Sequence, residues 1–123
     1  MKRIIIYLTI FLMLSLSFIS GKPILTLVAP NGGEKLISGT IIKVIWKYTD
    51  KSSGSRIILV LYKDGVKFFT ISESTMDSGS FSWSIPENIP SGEKYRIRIR
   101  STGDLSLNDF SDGDFSILNK QGK

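Results

Sequence analysis

The stretch from Gly79 to Pro86 reads Gly-Ser-Phe-Ser-Trp-Ser-Ile-Pro, and it decides the class of fold. Phe81, Trp83 and Ile85 alternate with serines, which is the period-two pattern of a strand with one buried and one exposed face. The segment from Tyr95 to Arg100 repeats this pattern, because Tyr and Ile alternate there with Arg. Two such amphipathic strands predict a protein built from β-sheets.

The chain from Ile24 onward follows the same pattern, in short segments bounded by Gly, Pro, Asn, Asp and Ser. No stretch of it has the periodicity of a helix. Seven strands are predicted, at Ile24–Val28, Thr40–Tyr48, Arg56–Tyr62, Val66–Ile71, Phe81–Ile85, Tyr95–Arg100 and Asp114–Leu118. Strands of this length and spacing predict an all-β fold, an immunoglobulin-like antiparallel β-sandwich of about seven strands, with a barrel as the alternative.

Four aromatic residues are predicted to point into the core of this sandwich, because each lies on the apolar face of its strand. They are Trp46, Phe81, Trp83 and Tyr95. The alternative is a sugar-stacking platform, which needs the same rings on the outside. Tyr95 follows Ile89-Pro90 and is predicted to form a tyrosine corner, in which the hydroxyl is bonded to nearby backbone.

The composition excludes most enzyme chemistry. The 123 residues include 16 Lys+Arg and 11 Asp+Glu, but no His and no Cys. A chain without imidazole or thiol has no His-based triad, no Cys nucleophile, no zinc site of the usual ligands and no redox thiol. We therefore predict one small non-enzymatic domain without cofactor or metal; the competing hypothesis is a small carboxylate-based extracellular enzyme that acts on glycans.

The first 21 residues are predicted to be a secretory signal peptide. Met1-Lys2-Arg3 is a short basic start, Ile4 to Ile19 carries no charge, and small Ser20-Gly21 follow. The predicted location is secreted or cell-surface, outside the cytoplasm, and membrane contact is expected only if this segment is retained as an uncleaved anchor. Residues 22–118 are then the sandwich domain, and residues 119–123 are predicted to be a disordered tail.

A basic row, Arg96, Arg98 and Arg100, projects three guanidinium groups from one face of a predicted strand. Such groups bind phosphate or carboxylate through paired hydrogen bonds, so an anionic wall polymer is one candidate ligand. The alternative is a solvated face whose charges prevent edge aggregation. Nucleic acid is not expected, because 14 basic residues face 11 acidic ones once the signal peptide is removed.

Phe68 and Phe69 are the other candidates for ligand contact. Because they are adjacent, a regular strand places them on opposite faces, so one is predicted to be exposed. Together with Tyr62, which lies nearby in the predicted hairpin, the exposed Phe forms a candidate contact surface.

An acidic stretch between the last two predicted strands carries oxygen ligands of the kind that calcium prefers. It consists of Asp104, Asn108, Asp109, Asp112 and Asp114. Its spacing matches no EF-hand loop, and turns use the same residue types for local backbone hydrogen bonds. We therefore expect turns here and no metal.

Several of these segments together resemble a known family. They are Val28-Ala29-Pro30-Asn31-Gly32-Gly33-Glu34, Gly39, Ile45-Trp46, Gly79 to Pro86, Tyr95 to Ile99, Ser111-Asp112 and Phe115-Ser116-Ile117. The chain is similar in them to the immunoglobulin-like domain named after the N-terminal part of yeast cell-wall synthesis proteins, the Kre/Knh family. One difference is Leu36, where the family often carries Trp.

The resemblance implies a secreted β-sandwich that is usually part of a larger cell-surface or extracellular protein and has no assigned catalytic residue. The functional hypothesis is therefore a binding module that contacts a cell-wall polysaccharide or an extracellular protein. A purely structural spacer domain is the alternative to a binding module.

Overall fold

The computed structural model describes residues 24–49 and 55–122 of the chain. This part of the chain contains no helix, and therefore none that is long and apolar enough to cross a membrane. Its strands are β1 (Ile24–Ala29), β2 (Lys35–Ile37), β3 (Ile41–Thr49), β4 (Arg56–Lys63), β5 (Val66–Met76), β6 (Ser80–Ser84), β7 (Gly92–Ser101), β8 (Asn108–Phe110) and β9 (Phe115–Leu118). The predicted signal peptide lies outside the described residues.

Two sheets pack face to face and confirm the predicted immunoglobulin-like sandwich. The smaller sheet has the order β1-β3-β6, and the larger has the order β2-β9-β7-β4-β5, with β8 also paired to β7. One edge of β7 is paired with β4, so β8 and β9 follow one another along its other edge. β2 runs parallel to β9, whereas all other pairs are antiparallel.

The core between the sheets is formed by alternate residues of the long strands, as the sequence predicts. Trp46 is 3% exposed, Trp83 is 4% exposed and Tyr95 is fully buried, while Phe81 is partly buried against them. The prediction that these rings lie inside is confirmed, so they form no sugar-stacking platform. β7 contributes Ile97 and Ile99 to the same core and turns its three arginines outward.

The hairpin of β4 and β5 closes through Asp64 and Gly65, both with positive φ, at +54° and +81°. This is the pair of residues that a tight two-residue hairpin turn favours. The ladder then shifts register between Lys67 and Phe69, so Phe68 is an extra, bulged residue. Because of this bulge, Phe68 and Phe69 do not alternate between opposite faces as predicted: Phe68 packs near Tyr95, and Phe69 near Trp83.

The end of the chain differs from the predicted disordered tail at Asn119. This residue is 1% exposed, and its side-chain amide donates to the carbonyl oxygens of Glu87 and Ile89, at 3.1 Å and 2.6 Å. Its backbone N–H donates to Ser91 Oγ, and that of Lys120 donates to Ser38 Oγ. Asn119 therefore ties the end of β9 to the loop between β6 and β7.

Tyr95 forms the predicted tyrosine corner. Its hydroxyl donates a 2.6 Å hydrogen bond to the carbonyl oxygen of Pro90, in the loop that carries the chain from the smaller sheet to the larger one. Burial first, and the negative charge of Asp64 second, raise the pKa of Tyr95 to about 12. The hydroxyl therefore stays protonated and remains a donor in the folded chain at all ordinary pH values.

We expect Tyr95→Phe to lower the free energy of unfolding by about 1–3 kcal/mol, because the carbonyl of Pro90 loses its hydrogen-bond donor. The measurement is urea unfolding of the purified chain, followed by tryptophan fluorescence. Tyr62→Phe is the matched control, since it removes a hydroxyl from the outer surface of the fold and should cost less than about 0.5 kcal/mol. Equal losses in the two variants would contradict the assigned role.

We also expect stability to fall at high pH through the same residue. The ordinary pKa of a tyrosine side chain, which applies to the unfolded chain, is 10.0, whereas the pKa of Tyr95 in the folded chain is about 12. Ionisation therefore favours the unfolded state in that interval. The contribution of Tyr95 is complete below pH 10 and is lost as the pH rises towards 12. Unfolding free energies measured across this range should fall more for the parent chain than for Tyr95→Phe; parallel curves would contradict the assignment.

Candidate functional site

A groove of about 480 Å³ lies on the outer face of the larger sheet. Its floor comes from β4, β7 and β8, and one end is closed by the turn between β4 and β5. The lining residues are Tyr62, Asp64, Gly65, Lys94, Arg96, Phe110 and Asp114. The volume is in the range of small-molecule sites, roughly 300–1,000 Å³, and the lining combines two aromatic rings with a few polar groups, as such sites do.

Arg98 organises the aromatic part of this groove. Its guanidinium carbon lies 5.2 Å from the centre of the Phe110 ring, and its Nη1 donates to the Tyr62 hydroxyl at 3.4 Å. The two rings meet edge to face, with centres 5.0 Å apart. A third contact, from Arg98 Nε to Asn108 Oδ1 at 3.3 Å, fixes the guanidinium from the other side. The rings are thus held in place by a planar cation, which is the geometry of cation–π packing.

The charges that line the groove are balanced. Arg96 Nε donates to Asp114 Oδ1 at 2.8 Å, and the pair is about 40% exposed, with side-chain values of 42% and 39%. Lys63, next to the groove, pairs with Asp64 at 3.0 Å. Each carboxylate of the groove thus has a cationic neighbour, whereas Lys94, which also lines the groove, forms no ion pair within the described residues. The groove therefore offers hydrogen-bond donors and acceptors side by side.

The structure brings together three of the six residues predicted for ligand contact. Arg96, Arg98 and Tyr62 lie across neighbouring strands, since Tyr62 pairs with Arg96 in the ladder. Arg100 lies further along β7 at the other end of the row, and its Nε is buried without an acceptor among residues 24–49 and 55–122. The row is therefore not a uniform set of free guanidinium groups.

Phe68 and Phe69 belong to a different place on the surface. They line a second groove, of about 260 Å³, together with Pro86, Asn88, Ile89 and Pro90. Phe68 is 42% exposed, so one Phe of the pair is accessible as predicted. Neither Phe is near Tyr62 in the groove of the larger sheet, and the predicted joint surface of Tyr62 with an exposed Phe does not form. The aromatic neighbour of Tyr62 is Phe110.

The acidic stretch is distributed among separate hydrogen bonds. Asp109 accepts from the backbone N–H of Leu27 on the other sheet at 2.8 Å, and two hydrogen bonds from Ser106 lower the pKa of Asp104. Asp112 and Asp114 face Asn31 and Arg96. Within the described ranges, no group of three or more acidic side chains is close enough to hold a metal ion.

The turn Pro30–Glu34 carries the chain from β1 in the smaller sheet to β2 in the larger one. It is closed from within by Glu34, whose carboxylate accepts from the backbone N–H groups of Asn31 and Gly32 at 2.8 Å and 2.7 Å. Gly32 and Gly33 have positive φ, at +140° and +83°. The two glycines of this turn therefore follow from its backbone geometry, because glycine adopts a positive φ without steric cost.

A second turn, Ser111–Asp114, packs against the first. Asn31 and Asp112 exchange two hydrogen bonds, and Ser111 Oγ donates to the carbonyl oxygen of Pro30 at 2.8 Å. The backbones add two more bonds, Gly33 N–H to Asp114 and Gly113 N–H to Asn31, both 2.8 Å. Since Phe110 directly precedes this second turn and Asp114 ends it, the contact between the two turns constrains the position of both groove residues.

The two packed sheets, with one turn crossing between them and a second turn packed against it, define an immunoglobulin-like module. Residues 29–117 match the Kre9/KNH-like N-terminal Ig-like domain, and the chain belongs to that family. The matched region runs from the first turn to β9, so it contains every element that builds the groove. Membership makes the chain a cell-wall-related Ig-like module. Searches of curated proteins and of solved structures each gave no significant match.

We expect Gly32→Ala to destabilise the fold more than Gly33→Ala. A methyl group at Gly32 would lie 3.0 Å from Gly113 Cα, in backbone that the hydrogen bond from Gly113 N–H to Asn31 holds in place, whereas nothing lies within 4 Å of the same position at Gly33. Gly33→Ala should therefore cost only the strain of a positive φ, about 1–2 kcal/mol, and Gly32→Ala should cost more. Urea unfolding midpoints of the two variants check this; equal midpoints would contradict the close packing of the turns.

Proposed function

We propose that this chain is an exported, non-catalytic Ig-like module that binds cell-wall polysaccharide in the groove of the larger sheet. The observation that carries the proposal is the pair of rings, Tyr62 and Phe110, held by Arg98 beside a compensated ion pair. Sugar rings present an apolar C–H face and a rim of hydroxyl groups. Aromatic surface beside charged hydrogen-bonding groups is complementary to both.

The balance of charge in the groove favours a neutral polysaccharide over an anionic one. Arg96 already forms an ion pair with Asp114, and Asp64 forms one with Lys63 beside the groove. An anionic polymer would meet these two carboxylates and would have to replace them as partners of Arg96 and Lys63; of the two cations that line the groove, only Lys94 is without an ion pair within the described residues. Hydroxyl groups of a neutral sugar are able to bond to both members of an ion pair without separating them.

Binding without catalysis is supported by the residue composition of the chain and by the surroundings of the two carboxylates at the groove. The chain has no His and no Cys, so general acid–base catalysis would depend on Asp, Glu, Lys or Tyr. Asp64 and Asp114 are exposed, and each is engaged with a cation at the surface of an open sheet. Hydrolysis of a glycosidic bond needs carboxylates set on either side of the bond in a shaped cleft. Export is supported by the N-terminal signal pattern and by the association of the family with the cell wall.

The test is retention of the purified chain on protein-free, insoluble wall polysaccharide, with polygalacturonate as the anionic comparison. Tyr62→Ala and Phe110→Ala should each reduce retention about tenfold, because each removes one ring from the stacking surface. Phe68→Ala is the matched control, since it removes an exposed ring from the other groove and should leave retention unchanged.

Salt and product analysis complete the test. Retention should be nearly the same at about 50 mM and about 500 mM NaCl, because a compensated groove does not depend on long-range attraction. Loss of retention at high salt, or preference for polygalacturonate, would contradict a neutral ligand. Release of soluble sugars that Asp114→Asn abolishes would contradict a non-catalytic role, and absence of retention on every polymer would overturn the proposal.

A further inference from the structure

The outer face of the smaller sheet, opposite the groove, has a different chemistry. β3 turns every second residue from Ile41 to Thr49 outward, so Ile and Lys alternate along it. β1 adds two aliphatic side chains and β6 adds serines. The exposed fractions of the four aliphatic residues are Ile24 57%, Val28 39%, Ile41 71% and Ile45 38%. We refer to this surface, with Lys43 and Lys47, as the Ile–Lys face.

The Ile–Lys face is apolar and purely cationic. None of the residues of β1, β3 or β6 is Asp or Glu. In the ladders, Lys43 lies opposite Ser82 and Lys47 lies opposite Thr26, and neither lysine forms an ion pair within the described ranges. This contrasts with the larger sheet, where Arg96 and Lys63 are both paired with carboxylates.

We propose that the Ile–Lys face is a docking surface for an acidic extracellular protein. Aliphatic side chains that stay exposed on neighbouring strands are stabilised when a partner covers them, and such patches mark protein interfaces. Lys43 and Lys47 are four residues apart on β3, so they require carboxylates in the partner at positions about 14 Å apart along the strand. Electrostatic complementarity of this kind selects the partner and speeds association.

Other occupants fit the surface less well. A second copy related by a twofold axis would oppose the same lysines to one another, and no carboxylate of the face would compensate them. A bilayer is usually bound through aromatic or long apolar side chains, which this face lacks, and two lysines attract anionic lipid by only about 1 kcal/mol each. A polysaccharide would find no aromatic ring to stack on among the outward residues of β1, β3 and β6.

The test uses photo-crosslinking of the full chain in the cells that express it. p-Benzoylphenylalanine replaces Ile41 in one chain and Ile37 in the control; Ile37 is similarly aliphatic and 43% exposed, but it lies on β2 in the other sheet. We expect position 41, and not position 37, to crosslink to a protein that mass spectrometry identifies and whose sequence has an excess of Asp and Glu.

Affinity of the purified pair then separates this face from the groove. Lys43→Glu and Ile45→Ser should each weaken binding about tenfold, whereas Lys35→Glu and Ile37→Ser on β2 and Phe110→Ala in the groove should leave it unchanged. Unfolding midpoints of the variants on β2 and β3, which change exposed side chains only, should stay close to that of the parent chain. Crosslinking at position 41 to lipid, to a second copy, to a protein without acidic excess or to nothing would overturn the proposal.

Discussion

Asn31 and Asp112 satisfy each other's polar groups between the turn that crosses from one sheet to the other and the turn that packs against it, and this contact constrains much of the structure. The chain leaves the ladder of β1 here, so its backbone N–H and C=O groups lose their strand partners and need others. The second turn provides them, because its backbone and Ser111 bond to Pro30, Asn31 and Gly33. Close approach of the two backbones is the reason that glycine stands at position 32.

The same contact connects the fold to the groove. Ser111–Asp114 joins β8 to β9, and both strands follow the free edge of β7. Phe110 is therefore placed against Arg98, and Asp114 against Arg96, by a turn whose position the first turn determines. β7 contributes to both sides of the sheet, since its three arginines lie on the outer face and Tyr95, Ile97 and Ile99 lie in the core. A shift of register by one residue would exchange these roles, which is why the hydrophobic core also fixes the groove.

Period-two alternation is sufficient to predict the seven longer strands, the inward tryptophans and the outward arginines, because each of these depends on local sequence. It does not predict β2 and β8, since three residues are too few to show a period and their pairing depends on distant strands. Phe110 is not predicted as a site residue, because it lies in a stretch of Asp and Asn that is typical of turns. Only the register of β8 on β7 brings it opposite Arg98. The bulge at Phe68 has no signature in the alternation either, and it moves both Phe side chains to one edge. The local sequence does not show that Asn119 is anchored, because its hydrogen-bond partners, the carbonyls of Glu87 and Ile89, are about thirty residues away in sequence.

The cations on the two outer faces of the sandwich have different surroundings. On the larger sheet, Arg96 and Lys63 are paired with carboxylates beside aromatic surface, which suits recognition at short range through hydrogen bonds and stacking. On the smaller sheet, the lysines lack such partners within the described residues and lie among exposed aliphatic side chains, which suits an oppositely charged protein surface. The two faces are separated by the core, about 10 Å of packed side chains, so a ligand on one does not obstruct the other. A small module with both contacts would hold a protein against the polymer of the wall, because each contact uses a different outer face.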